Sequence, residues 1–330
     1  MRRAALVVLA LSLVACPKKH KPPAMDRIWL GPKDGCAHLR TGEIACWGAD
    51  FDATPTTTQA FGRDVRELAL GERYLCALHA SGKVHCLEGD KMQDLRLDPA
   101  KAVASGGTRA CAITTAGEVR CWSNDAERAA PVKLELPGPA KAIAMGPELT
   151  CVAVEQPKVV RCTGRGSTND DLLAGEDVTQ LTAGRGHACA LLANGGVRCW
   201  GADVNGQVGE GNRDVKHYPP EAAKVGPSAE VRAGSNHTCA RLRDNTVVCW
   251  GDNKHHQMAD GTTDSRLEPV RIQGLYSVTE LAAAGDATCA VMSLDHSVRC
   301  WGANGSGQLG DGTAEEHTVP MPLRWAAASK

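Results

Sequence analysis

Aromatic side chains are scarce in this 330-residue chain: seven tryptophans, three tyrosines and two phenylalanines make up 4% of it. A carbohydrate platform needs aromatics to spare for stacking on sugar rings, so a lectin is disfavoured. An excess of one charge is missing too. The 37 lysines and arginines face 38 aspartates and glutamates, a formal net charge of -1, where a nucleic-acid binder needs a net basic footprint. After the first sixteen residues nothing approaches 18 consecutive apolar residues, so no later segment reads as a transmembrane helix. No C-x-x-C occurs, which argues against zinc knuckles, and G-x-S-x-G, H-E-x-x-H, a phosphate loop and a calcium-binding loop are also missing. With no visible set of nucleophile, base and orienter, the chain is expected to be non-catalytic and to need no metal or cofactor. The match of Gly305–Gly310 to G-x-G-x-x-G lies inside a repeat loop and lacks the strand–turn–helix context of a dinucleotide site.

Cysteine and glycine are what the chain has in quantity, 15 and 35 residues. Fifteen thiols that form no metal knuckle point away from a reducing cytosol, and the odd number singles one out. The chain opens MRRAALVVLALSLVAC. Arg2 and Arg3 precede an apolar run from Ala4 to Val14, too short to span a bilayer and suited to a signal-peptide core. Leu13-Val14-Ala15-Cys16 resembles the bacterial lipobox. The resemblance implies removal of residues 1–15 and acylation of Cys16, whose sulfur and new amine would carry the chain's membrane contact. Residues 16–25, with PKKHKPP after the cysteine, read as a lipidated proline- and lysine-rich tether. By resemblance to bacterial sorting, Pro17 after the cysteine favours the outer membrane, on its periplasmic or surface side.

The other fourteen cysteines form seven sets: Cys36 and Cys46, Cys76 and Cys86, Cys111 and Cys121, Cys151 and Cys162, Cys189 and Cys199, Cys239 and Cys249, Cys289 and Cys300. Five sets enclose nine residues and two enclose ten, and the unit recurs every 35 to 50 residues. A glycine stands five residues before the first cysteine in six repeats. A β-branched residue always stands two before the second cysteine, and tryptophan follows it in five repeats, at Trp47, Trp122, Trp200, Trp250 and Trp301. In LTAGRGHACALLANGGVRCWG, pairing Cys189 with Cys199 centres a hairpin on Asn194 and sets Leu191 against Val197. Alternation then puts Cys189, Leu191, Val197 and Cys199 on one face, with Ala190, Arg198 and Trp200 on the other. Opposed residues of that kind lie within disulfide reach. Helical staples at this spacing are denied by the glycine turns and β-branched residues. Seven intra-hairpin disulfides follow, each worth about 3 kcal/mol in the chain-entropy model.

Repeats five to seven extend the pattern. CWGADVNGQVGEGN and CWGANGSGQLGDGT resemble the glycine-rich loop of the regulator of chromosome condensation repeat family, and His187-Ala188-Cys189 and His237-Thr238-Cys239 resemble its histidine-bearing strand. The resemblance implies an all-β, seven-bladed β-propeller over residues 26–330, one disulfide-stapled hairpin per blade. That family's nucleotide-exchange activity does not carry over, because no exchange-loop residues can be matched. The two histidines read as strand hydrogen-bonders, and the tryptophans as packing between neighbouring blades.

The connections after Cys199 and Cys249 are about ten residues longer than the earlier ones. Loops 201–220 and 251–270 therefore carry the candidate protein-binding residues Lys216, His217, Tyr218, Lys254, His255, His256 and Met258. The expectation is a monomeric envelope lipoprotein serving as a protein-binding or structural scaffold, with no nucleic-acid partner. A propeller-type enzyme inhibitor and an envelope enzyme of unrecognised motif are the alternatives.

Overall fold

Each cysteine set closes an antiparallel hairpin in the register that the spacing predicts. Cys189 lies opposite Cys199 and Leu191 opposite Val197, and the Leu192 N–H donates to Gly196 O across a three-residue turn. Gly195 holds φ 91° there, a backbone conformation that a Cβ would strain. All seven disulfides lie within hairpins, with Cα atoms 4.0–4.1 Å apart, as in directly opposed pairs that exchange no hydrogen bonds. The computed structural model describes residues 23–62, 64–88, 91–95, 97–123, 131–164, 167–168, 170–213 and 217–325. Cys16, the signal peptide, almost all of the tether, and Lys216 lie outside the described residues.

An inner strand precedes each hairpin and an outer strand follows it, giving seven sheets in sequence order. The blades span residues 25–58, 65–95, 100–134, 140–164, 178–222, 228–271 and 278–322. This is the expected seven-bladed propeller. Blade four departs from the pattern: it has three strands, and its outer edge carries a single bridge from Val160 to Leu172. Among the described residues no strand is exchanged where the ring closes, since Met25–Leu30 belongs to blade one and His317–Pro322 to blade seven.

The hydrophobic core is divided into seven layers, one at each seam between blades. Because side chains alternate across a strand, one face of each hairpin meets the preceding blade and the other the following one. Cys189, Leu191, Val197 and Cys199 pack on Val231, Ala240 and Trp250 of blade six, while Ala188, Ala190 and Trp200 pack on Leu149, Val160 and Leu172 of blade four. The closing layer sets Ile28 and Trp47 against Ala282, Val291 and Val298.

A bulge interrupts every inner strand near its start, for example between Met25 and Arg27 and between Ser228 and Glu230. A bulge re-aims the side chain that follows it, and here that position is Arg27, Glu67, Gln180, Glu230 or Glu280 in five of the seven blades.

Candidate functional site

The inner strands enclose a channel of 480 Å³ along the propeller axis. Its two ends differ. Toward the inner turns it is lined by Leu30, Leu70, Met145, Ala183 and Ala233, with a ring of glycines where the turns converge. A Cβ on Gly146 would sit 1.7 Å from the Gly184 carbonyl oxygen, so glycine is required for that approach. Toward the strand starts the lining is charged: Arg27, Arg66, Glu67, Arg232 and Glu280, with Glu230 and Arg241 beside them.

These groups tie neighbouring blades together at several seams. Glu230 Oε2 accepts from the Leu281 N–H at 3.0 Å, and Gln180 Oε1 accepts from the Val231 N–H at 3.1 Å. The Glu230 carboxylate also takes Arg232 at 2.8 Å and Arg241 at 3.3 Å. Glu280 accepts from the Ile28 N–H across the closing seam, and burial, followed by the nearby Glu230 charge, pushes its carboxyl up to about 7. Burial likewise raises Glu67, which accepts from the Val103 N–H.

A second tier lies within the sheets. His187 Nε2 meets Thr238 Oγ1 at 2.9 Å, and His237 Nε2 meets Thr288 Oγ1 at 2.8 Å, each across a seam. Burial pushes these imidazoles down to about 4 and about 3, so both are neutral hydrogen-bonding groups, as the sequence predicts.

The third tier is made by the long loops between third and outer strands. In blades five, six and seven the loop's glutamine carbonyl accepts from the next blade's tryptophan Nε1–H: Trp250 to Gln207 O at 2.9 Å, Trp301 to Gln257 O at 2.8 Å and Trp47 to Gln308 O at 2.8 Å. Asn253 and Asn304 hold their loops, each Oδ1 accepting from a backbone N–H five residues on, at 2.8 and 2.9 Å. Blades two and four have no such loop, and the tryptophans they would serve, Trp122 and Trp200, have buried Nε1–H groups without a hydrogen-bond partner among the described residues.

The sequence profile of the Regulator of chromosome condensation (RCC1) repeat matches residues 178–207, 229–257 and 244–291, within the three blades whose hairpins, loops and seams are most regular. These matches identify RCC1 repeats within blades five to seven. The chain's fold is similar to that of yeast RCC1 (Prp20) in complex with Kap60, at 15% identity and TM-score 0.75 over 99% of this chain and 92% of that one. Human WBSCR16 is similar at 16% identity and TM-score 0.72, over 82% of this chain and 84% of that one. The ectodomain of the Arabidopsis thaliana receptor kinase ACR4 is similar at 18% identity and TM-score 0.62, over 92% and 100%. At such identities the likeness is one of fold. No curated protein sequence matches significantly.

Within this ring the seven candidate contact residues separate. Lys254 is exposed. His255 is half-exposed and meets Glu316 of the next blade's loop, Nδ1 to Oε1 at 2.6 Å, a hydrogen bond that raises its pKa. His256 turns back with φ 61°, its Nδ1 3.0 Å from Thr262 O. Tyr218 is half-buried against the layer between blades four and five. Met258 is a correction: it is 1% exposed, inside the layer between blades six and seven. It occupies the place of Val208 and Leu309 in the sister loops, so it plugs the seam and is no contact residue. The side chain of His217 lies outside the described residues. The charged channel mouth was missed from sequence, though it leaves a signal: Arg27, Glu67, Gln180 and Glu230 each stand four residues before the repeat's glycine.

Proposed function

We propose that the chain is a lipid-anchored, protein-binding propeller of a bacterial cell envelope, tethered through acylated Cys16 and offering its long-loop face to a protein partner. The observation that carries the reading is the locking of three neighbouring loops onto buried tryptophans. A surface already held in one conformation loses little entropy on binding, and this one presents Lys254, the hydrogen-bonded His255 and Glu316, and the half-exposed Val204. Fourteen paired cysteines fit an oxidising compartment, and the signal-like start supplies the route to it. Among fold relatives, yeast RCC1 has been crystallised bound to Kap60, and Prp20p has been characterised for binding to Gsp1p and histones.

Affinity capture from envelope extract with the intact protein tests the reading. A specific partner should be retained by the parent and by a Leu294→Ser variant on the opposite face, and lost by a Lys254→Glu, Val204→Asp double variant. Capture that ignores the loop substitutions, or no capture at all, would sink the loop face as a docking surface.

A further inference from the structure

The start of blade one fixes where the tether leaves the ring. Ala24 O accepts from the Arg40 N–H at 3.0 Å, and the Met25 N–H donates to His296 O at 3.2 Å. The chain therefore exits between the hairpin turns of blades one and seven, on the face opposite the long loops. Eight residues separate Cys16 from Met25, and a fully extended chain of that length spans roughly 30 Å. Passing from the inner strand over the rim to the loop face would require about 14 Å across three strand spacings and about 20 Å along a six-residue strand. That path exceeds the tether's reach, so the loop face cannot lie against the lipid.

The same face carries the two most exposed of the large hydrophobic side chains among the described residues. Leu294, 73% exposed, tips the hairpin of blade seven, two residues from the His296 carbonyl that holds the exit. Tyr276, 55% exposed, lies on the adjoining connection, where the Ser293 N–H donates to Ser277 O at 2.9 Å. Tyrosine favours the headgroup level and leucine the acyl boundary just beneath it. We infer that Leu294 and Tyr276 rest in the bilayer interface beside the tether exit, fixing the propeller with its long-loop face directed away from the membrane. This inference rests on acylation of Cys16. Charge does not drive the contact: basic and acidic groups alternate on this face, with Lys141 and Lys158 both meeting Asp177 at 3.0 and 3.5 Å.

The test uses the full chain made in a host that acylates lipoproteins, reconstituted into phosphatidylethanolamine–phosphatidylglycerol vesicles with or without brominated acyl chains. Leu294→Trp and, on the loop face, Val204→Trp are each compared with the parent, so that emission from the seven native tryptophans is subtracted. Emission added at 294 should fall roughly two-fold in brominated lipid, independently of salt, while that at 204 is unchanged. Tyr276→Trp serves as a second reporter should Leu294→Trp fail to fold. The mass of the Cys16 peptide and vesicle flotation are read in parallel. Acylated, floating protein with no quenching at 294 or 276, or equal quenching at 204, overturns the orientation alone. A Cys16 peptide without acyl mass overturns the anchor, and the orientation with it.

Discussion

The Nε1–H of Trp250 reaches the Gln207 carbonyl, whereas the Nε1–H of Trp200, at the same repeat position one blade earlier, is buried without a partner among the described residues. Both rings are fully buried, so their apolar contributions are comparable and the difference lies in the hydrogen bond. Phenylalanine keeps most of the ring and removes the N–H. In Trp250→Phe it deprives a buried carbonyl of one donor, though Thr238 Oγ1 still donates to Gln207 O at 3.0 Å. In Trp200→Phe it removes a donor that is already unsatisfied. A satisfied buried hydrogen bond contributes about 1 kcal/mol, and an orphaned polar group costs a similar amount or more. Trp250→Phe is therefore expected to destabilise the ring by about 1–2 kcal/mol more than Trp200→Phe, read as the difference in urea midpoint under oxidising conditions. Equal midpoints would show that these indoles act by volume alone.

At the scale of the strand and loop, one position after the inner-strand bulge controls how a blade meets its neighbour. Gln180 and Glu230 make the same contact to the next backbone N–H, one through an amide and the other through a carboxylate. Glu280 makes it across the closing seam with a carboxyl held near 7 by burial and by Glu230. The unfolded carboxyl titrates near 4.5. Between those values the folded ring holds a proton that the unfolded chain has released, so this group's contribution to stability declines as pH rises through the window. Glu280→Gln keeps the acceptor, as Gln180 demonstrates, and removes the ionisation. It should leave stability nearly unchanged below about pH 5 and raise it by about 1–3 kcal/mol at pH 8; denaturation at the two pH values decides, and a variant weaker at both is incompatible with the argument. The hairpin register and the placing of tryptophan between blades were legible in the sequence because cysteine spacing and side-chain alternation dictate them. The loops' role was not. Their acceptors are the main-chain carbonyls of Gln207, Gln257 and Gln308, which any residue supplies, and Met258 looked exposed because a loop position carries no periodicity to mark it as a plug. Alanines at the inner-strand positions of blades three and four similarly hid the charged series that Arg27, Glu67 and Glu230 complete.

For the molecule as a whole, the closing seam differs from the other six in covalent terms. A connection joins each blade to the next, six residues long at 272–277 and thirteen at 165–177, but among the described residues nothing joins blade seven to blade one, and no strand is shared between them. All seven disulfides are likewise confined to single hairpins, so they restrain unfolded hairpins without holding the ring shut. The seam depends on the apolar layer around Trp47 and Ile28, the Trp47 bond to Gln308 O, the Glu280 bond to the Ile28 N–H and the Met25 bond to His296 O. Opening it separates two blades that no direct linker joins, whereas opening any other seam works against a linker and gains less freedom. Native-state hydrogen exchange can compare two amides at the same repeat position, since Ile28 donates to Glu280 across the closing seam and Leu281 donates to Glu230 across the seam before it. Ile28 should exchange faster. Trp47→Phe should accelerate exchange in blades one and seven while leaving blades three to five unchanged, and Trp250→Phe should not affect Ile28. Slower exchange at Ile28 than at Leu281 would mean that packing at the closing seam outweighs the missing covalent link, and that the ring first opens elsewhere.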